Sequence, residues 1–214
     1  MLYQLSYTPV TGCGRIAARP GGQDAIGRNK APRPAFALQP VHKCKGARPM
    51  ALNSLKDVYL DQIQDLYSAC KQSVDATAKL GRAATDDELG RALAAGSKGI
   101  ADGMGQLEKL CSDHGIDPNG THCKGMEGLV QEAQAHVHDA EFGADEVRDA
   151  MIITQYQRMV HYALAGYGCL VAFANRLGLD GDGAILQECL DQTYDGDKRM
   201  TKIATTGGVN ADAA

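Results

Sequence analysis

The feature that most constrains this chain is the stretch from Asp145 to Leu179. It contains no proline, and Gly166 and Gly168 are its only glycines before Gly178 near its end. Apolar residues recur three and four apart, at Val147, Met151, Ile152, Tyr156, Met159, Val160, Ala163, Tyr167, Leu170, Val171 and Ala174. That spacing describes one broad buried face of a helix. Asp145 and Glu146 suit a helix N-terminus, and Arg176 and Gly178 mark its end. At 1.5 Å per residue such a helix is roughly 50 Å long. It can bury its face only against other long helices.

The rest of the chain supplies them. A first helix is predicted from about Ser54 to Leu80, capped by Asn53 or Ser54, with Leu55, Tyr59, Ile63, Leu66, Cys70, Val74, Thr77 and Leu80 at helical spacing. A second starts near Thr85, whose spacing to Glu88 fits a capping box. Its stripe is Leu89, Leu93, Gly96, Ile100, Met104 or Gly103, Leu107 and Cys111. It is rich in glycine, at 90, 96, 99, 103 and 105. Each interior glycine costs about 1 kcal/mol against alanine, so this is the softest long helix unless a neighbour uses the space. Asp113 to His122 reads as a loop, Gly125 to Ala140 as a short helix, and Gly181 to Gly183 as a turn. A last helix covers Ala184 to Ala204, and residues 205–214 form a small, polar, disordered tail. Four long helices with a short one between the second and third make an all-α, four-helix bundle with a crossover connection.

Charge divides the chain in two. Residues 1–50 hold eight Lys/Arg and one acid, a net of +7, whereas residues 51–214 carry −11, giving −4 in all. Six of the seven prolines fall within residues 1–49, which show no helical or strand period. This basic arm is expected to be disordered. Three readings of it compete: a nucleic-acid-binding arm, an organelle transit peptide, or a segment upstream of a true start at Met50. The last is preferred, so nucleic acid is not an expected partner and residues 50–204 form the folded domain.

No run of 18 apolar residues exists, so no transmembrane helix is expected. Seven cysteines, at 13, 44, 70, 111, 123, 169 and 189, form no CxxC pair. With no secretory signal, they read as reduced thiols in the cytoplasm. No Ser-His-Asp order, P-loop or dinucleotide fingerprint is present.

Four phrases carry a resemblance: LKDVYLDQIQDLYSACKQ at 55–72, HCKGMEGLVQEA at 122–133, DEVRDAMIITQYQRMVHYALAGYGCL at 145–170 and ECLDQTYDGDKRMTKIA at 188–204. Over residues 52–204 the chain resembles the YciE/YciF family of bacterial ferritin-like proteins. The resemblance implies an antiparallel four-helix bundle with a crossover helix, a homodimer, an association with stress response and an activity that is not settled. Ferritin-like bundles hold di-iron or di-manganese between carboxylates and histidines on all four helices. Where the family reads YSAEKQ, this chain has Cys70. Its HLEET-like cluster aligns with GSKGIADGM, so either Gly96, Lys98 and Gly99, or Gly99, Ala101 and Asp102, occupy the ligand positions. VEHYE becomes MVHYA, with Val160 and Ala163, and ETLEEE becomes ECLDQT, with Gln192 and Thr193.

The resemblance therefore implies a ferritin-like scaffold with a degenerate metal site: no cofactor, no catalytic residues, and a structural or binding role. The rival reading is a di-iron or di-manganese oxidoreductase acting on oxygen or peroxide. Asp102, His161 and Asp191 are the weak remnants of a site. His161 is read first as a hydrogen-bonded core or supporting residue, and His136 and His138 as solvated. Cys70 and Cys189 could bind one soft metal as a thiolate pair, but are read as small apolar fillers.

Overall fold

The computed structural model describes residues 52–206 and Val209. The basic arm, and the expected tail apart from Thr205, Thr206 and Val209, lie outside the described residues. Those residues contain five α-helices, α1 (Leu55–Ala83), α2 (Asp87–Asp113), α3 (Lys124–Ala133), α4 (Asp145–Leu177) and α5 (Asp180–Thr206), and a single π turn, Gln134–His138, continues α3. No strand occurs among them.

The four long helices pack in the cyclic order α1, α2, α5, α4. The chain turns back directly between α1 and α2 and between α4 and α5, and crosses the bundle between α2 and α4. In that crossover α3 lies on α1 and α4. The connection is pinned to the outer side of α1. Gln64 Nε2 donates to the Asp117 carbonyl at 2.6 Å, Gln72 Nε2 to the Cys123 carbonyl at 3.0 Å, and Cys123 N–H to Ser68 Oγ at 3.0 Å. These bonds satisfy backbone groups of the crossover that the bundle would otherwise leave unpaired.

Local chemistry explains the helix ends. Ser54 Oγ accepts from Asp57 N–H at 3.1 Å and caps α1. Gly178, at φ 70°, closes α4. Its N–H reaches the Asn175 carbonyl and that of Leu179 reaches Ala174, a Schellman arrangement that requires a left-handed residue.

Two boundaries and one buried face differ from the sequence expectation. The cap of α2 is Asp86, whose Oδ1 accepts from Leu89 N–H at 2.7 Å. Thr85 cannot serve because its hydroxyl donates to Asp149 Oδ2 at 2.6 Å. The predicted turn at Gly181–Gly183 is already the first turn of α5, since Gly178 has reversed the chain and Asp180 and Asp182 favour a helix N-terminus. On α4, Val147 is 41% exposed and Asp149 is buried instead. The periodic stripe begins one turn later than its first apolar residue.

The core is continuous from Tyr59 and Ile63 through Leu66, Leu93, Leu107, Ile152 and Leu170 to Leu186. Polar clusters fasten both ends. At one, the Asp149 carboxylate accepts from Thr85 N–H, Thr85 Oγ1 and Asp86 N–H at 2.9, 2.6 and 2.7 Å. At the other, Asp182 Oδ2 accepts from Tyr59 OH at 2.7 Å and lies 2.6 Å from His114 Nε2, while Lys56 Nζ lies 3.1 Å from His114 Nδ1. Burial would raise the Asp182 carboxyl, but the hydrogen bonds from His114 and Tyr59 outweigh it and hold the group below the ordinary carboxylate value.

Candidate functional site

Between these two ends the bundle encloses a cavity of about 290 Å³ at its waist. Each long helix turns a different set of residues toward it. From α1 come Ala69, Cys70, Ser73 and Thr77, and from α4 Tyr156, Met159, Val160, Ala163 and Tyr167. Cys189, Gln192, Thr193, Gly196, Arg199 and Met200 are among those on α5, and α2 gives mainly small residues.

The glycines of α2 shape this space. A Cβ at Gly96 would stand 3.1 Å from Tyr156 OH, and one at Gly103 would stand 2.8 Å from Tyr167 OH. Both glycines thus let a tyrosine hydroxyl from α4 approach the α2 backbone. A Cβ at Gly99 would meet nothing within 4 Å. Gly99 leaves a gap in the wall where a side chain would otherwise stand.

The residues at the expected metal-ligand positions are spread unevenly around this cavity. Cys70 and Val160 are buried and line the cavity. Ala163 and Thr193 are half-buried, Gln192 is exposed, and all three line it. Thr193 Oγ1 donates back to the Cys189 carbonyl at 2.7 Å, and Gln192 Nε2 donates to Glu188 Oε1 at 3.3 Å. On α2 the ungapped alignment brings Gly96 and Gly99 to the cavity, whereas its exposed Lys98, like Ala101 and Asp102 of the shifted alignment, does not line it. Gly103 rather than Met104 is the fully buried member of the α2 stripe, because Tyr167 OH occupies the space above it.

The three remnant candidates are not gathered. Asp102 is exposed. Asp191 is exposed and accepts from Gln187 Nε2 at 2.9 Å. His161 is hydrogen-bonded but does not lie in the core: Nε2 is 3.0 Å from Asp197 Oδ1, and the side chain is 64% exposed. Residue 161 falls between the inward positions 160 and 163 but points out, as one step of 100° along a helix can dictate. His136 and His138 are exposed, as expected. Among the described residues, no three His, Cys, Asp or Glu side chains stand together as a metal site would need.

The two thiols at the waist are held in the neutral form by burial. Burial pushes the Cys70 thiol up to about 12 and the Cys189 thiol up to about 11. Both are therefore protonated at neutral pH, whereas nucleophilic attack needs the thiolate. Tyr167 OH sits 3.7 Å from Cys70 Sγ, and burial also holds that phenol well above its ordinary value. The five cysteines among the described residues are all free.

Two residues at the cavity were missed by sequence reasoning. Thr77 falls at a position of the apolar stripe, yet its fully buried Oγ1 has no hydrogen-bond partner. Arg199 lines the cavity and is exposed. It makes no hydrogen bond or ion pair with the described residues. Only the three-dimensional register of α5 could have singled it out. No described helix is long and apolar enough to cross a membrane.

Comparison with known proteins converges on one family. Residues 54–214 match the model described as domain of unknown function 892. The YciF protein of Escherichia coli K12 is 33% identical over 159 residues, covering 72% of this chain and 93% of the relative. The crystal structure of that E. coli stress protein matches with a TM-score of 0.68 at 29% identity, over 74% of this chain and 98% of the other. YcfI from Rhodopseudomonas palustris, for which a structural role is suggested, matches with a TM-score of 0.69 at 25% identity, over 74% and 99%.

Proposed function

This chain belongs to the YciE/YciF family, whose domain is of unknown function, and we propose that it is a member whose metal centre has been erased. In this reading it is a metal-free helical bundle with a non-catalytic structural or binding role. The observation that carries it is the waist. Cys70, Gly96, Gly99, Val160, Ala163, Gln192 and Thr193, seven of the positions expected to hold ligands, line one cavity whose buried walls bear no carboxylate. A di-iron or di-manganese centre needs several carboxylates there, on all four helices. Without metal, such carboxylates would be unpaired buried charges, and their replacement by small apolar groups relieves that cost. The E. coli relative's description as a stress protein supports a role under stress. A cytoplasmic homodimer completes the proposal.

Elemental analysis tests it. Full-length protein, purified and then incubated with Fe(II) or Mn(II), is expected to hold fewer than about 0.2 equivalents per chain, against about two for a complete carboxylate site. Occupancy near two would overturn the reading and restore the oxidoreductase.

A further inference from the structure

The cavity at the waist is chemically uneven, and its unevenness describes a ligand. Its buried walls are apolar, built largely from alanine, glycine, valine and the methionines Met126, Met159 and Met200. Its exposed lining residues are Ala95 and Gly99 on α2 and Gln192, Asp195 and Arg199 on α5. None is on α1 or α4, so the cavity opens along the α2–α5 seam. An apolar cavity of about 150 Å³ already accepts a benzene-sized molecule, and this one is larger.

Two polar groups at one level lack partners. Thr77 lies between two contacts of α1 with α2. Ser97 Oγ donates to the Val74 carbonyl at 3.0 Å, and a Cβ at Gly81 would lie 3.2 Å from Leu93 Cβ. Thr77 therefore faces the α2 segment 93–97. Gly96 within that segment meets Tyr156 OH, and so does Gly196 on α5, one turn before Arg199. The unpartnered Thr77 hydroxyl and the unpaired Arg199 guanidinium thus mark the same end of the cavity. Asp195 at the mouth has its charge met by Lys198 at 3.5 Å, which leaves Arg199 as the cation in excess. A buried hydroxyl without a partner is costly and calls for an acceptor or donor from outside the protein.

We propose that the waist cavity binds a small amphiphile, an alkyl carboxylate of medium length. The head lies at the Thr77 and Arg199 end and the tail runs toward Cys70, Val160 and Cys189. The guanidinium offers two parallel N–H donors to a carboxylate, and the buried Thr77 hydroxyl lies in the wall at the same end. From Thr77 to Cys70 is seven residues of helix, about 10 Å, which sets the scale of the tail. The inference rests on the waist being metal-free. Metal content measured on the same preparation reports on that reading separately, so failure of a metal-free sample to bind overturns the ligand alone.

The test is calorimetric titration of the full chain with decanoate and with 1-decanol. Decanoate is expected to bind one per chain and 1-decanol more weakly. Arg199→Gln should weaken decanoate about tenfold, the loss of one charge-assisted contact, and leave 1-decanol unchanged. Gly99→Leu, which places a side chain where a Cβ meets nothing within 4 Å, should abolish both while keeping helicity and melting temperature. Ala95→Leu, at another exposed lining position, serves as a second plug. Absence of saturable decanoate binding would overturn the proposal, as would binding that survives both plugs. Equal affinity for decanoate and 1-decanol, or binding only to vesicles of anionic phospholipid, would also overturn it.

Discussion

Asp149, at one end of the bundle, and Thr77, at its waist, are both buried polar side chains, 2% and 0% exposed, yet their circumstances are opposite. Asp149 is ringed by donors from Thr85 and Asp86. Thr77 Oγ1 has none. The same contrast holds for the regions around them. At the ends, polar side chains bond to one another and to backbone N–H groups, so each burial is compensated. At the waist the buried Thr77 hydroxyl is left without a partner. The thiols are protonated, the small residues leave space, and away from Arg199 at the mouth a carboxylate would find no cation to meet it. The ends hold the bundle together, and the waist is where a former or present ligand would sit.

The most forceful way to break this comparison is to remove Asp149. Asp149→Ala strands two backbone N–H groups and a hydroxyl at the α1–α2 turn, and is expected to cost about 3–5 kcal/mol in urea unfolding. A loss under about 1 kcal/mol would mean that the ends do not carry the stability assigned to them.

Placing a charge at the waist is the complementary test. Val160→Glu should destabilise by about 2–4 kcal/mol at neutral pH. Burial raises the folded-state pKa above the unfolded value near 4.3. The unfolded chain therefore ionises first, and stability falls as pH rises from about that value until the folded pKa is passed. Unfolding followed from pH 4 to 8 checks the sign. A neutral effect at every pH would place the residue in solvent.

A smaller effect is expected at the opposite end. Asp182→Asn should cost about 1 kcal/mol at neutral pH through weaker bonds to His114 and Tyr59. The wild-type carboxyl is held below its ordinary value of 3.8. Its contribution is thus present above the unfolded pKa and lost as pH falls through the folded one. The variant's stability curve should be flatter than wild type below about pH 4.

The finest distinction lies within α2. Gly99→Ala should stabilise by about 0.5–1 kcal/mol, since the helix gains propensity and the methyl meets open space. Gly103→Ala should give less than this or reverse sign, because its Cβ would press to 2.8 Å on Tyr167 OH. Equal gains in thermal unfolding would show that the two glycines are not differently placed.

The fold was legible because helical periodicity survives one-dimensional reading. The stripe from Met151 to Ala174 and the cap at Ser54 needed no tertiary knowledge. The ends were less so. Asp149 interrupts an apolar stripe, and its partners sit 63 and 64 residues away, so periodicity alone assigned Val147 the burial that belongs to Asp149. The waist was legible in part. Cys70, Val160 and Ala163 were placed inward by spacing and resemblance, but the direction of His161 depends on helix rotation, which the phrase MVHYA does not convey. Thr77 looked like an ordinary member of a stripe, because a missing hydrogen bond leaves no trace in sequence.

The central claim, that this waist no longer holds metal, is tested most directly by the melting temperature of the full chain with and without Fe(II) or Mn(II), the iron arm kept anaerobic. A site filled at a hundredfold excess over its dissociation constant would add about 2.7 kcal/mol, roughly 5–10 °C for a domain of this size. The account predicts no shift with either metal. A saturable rise of that order, lost on chelation, would contradict it.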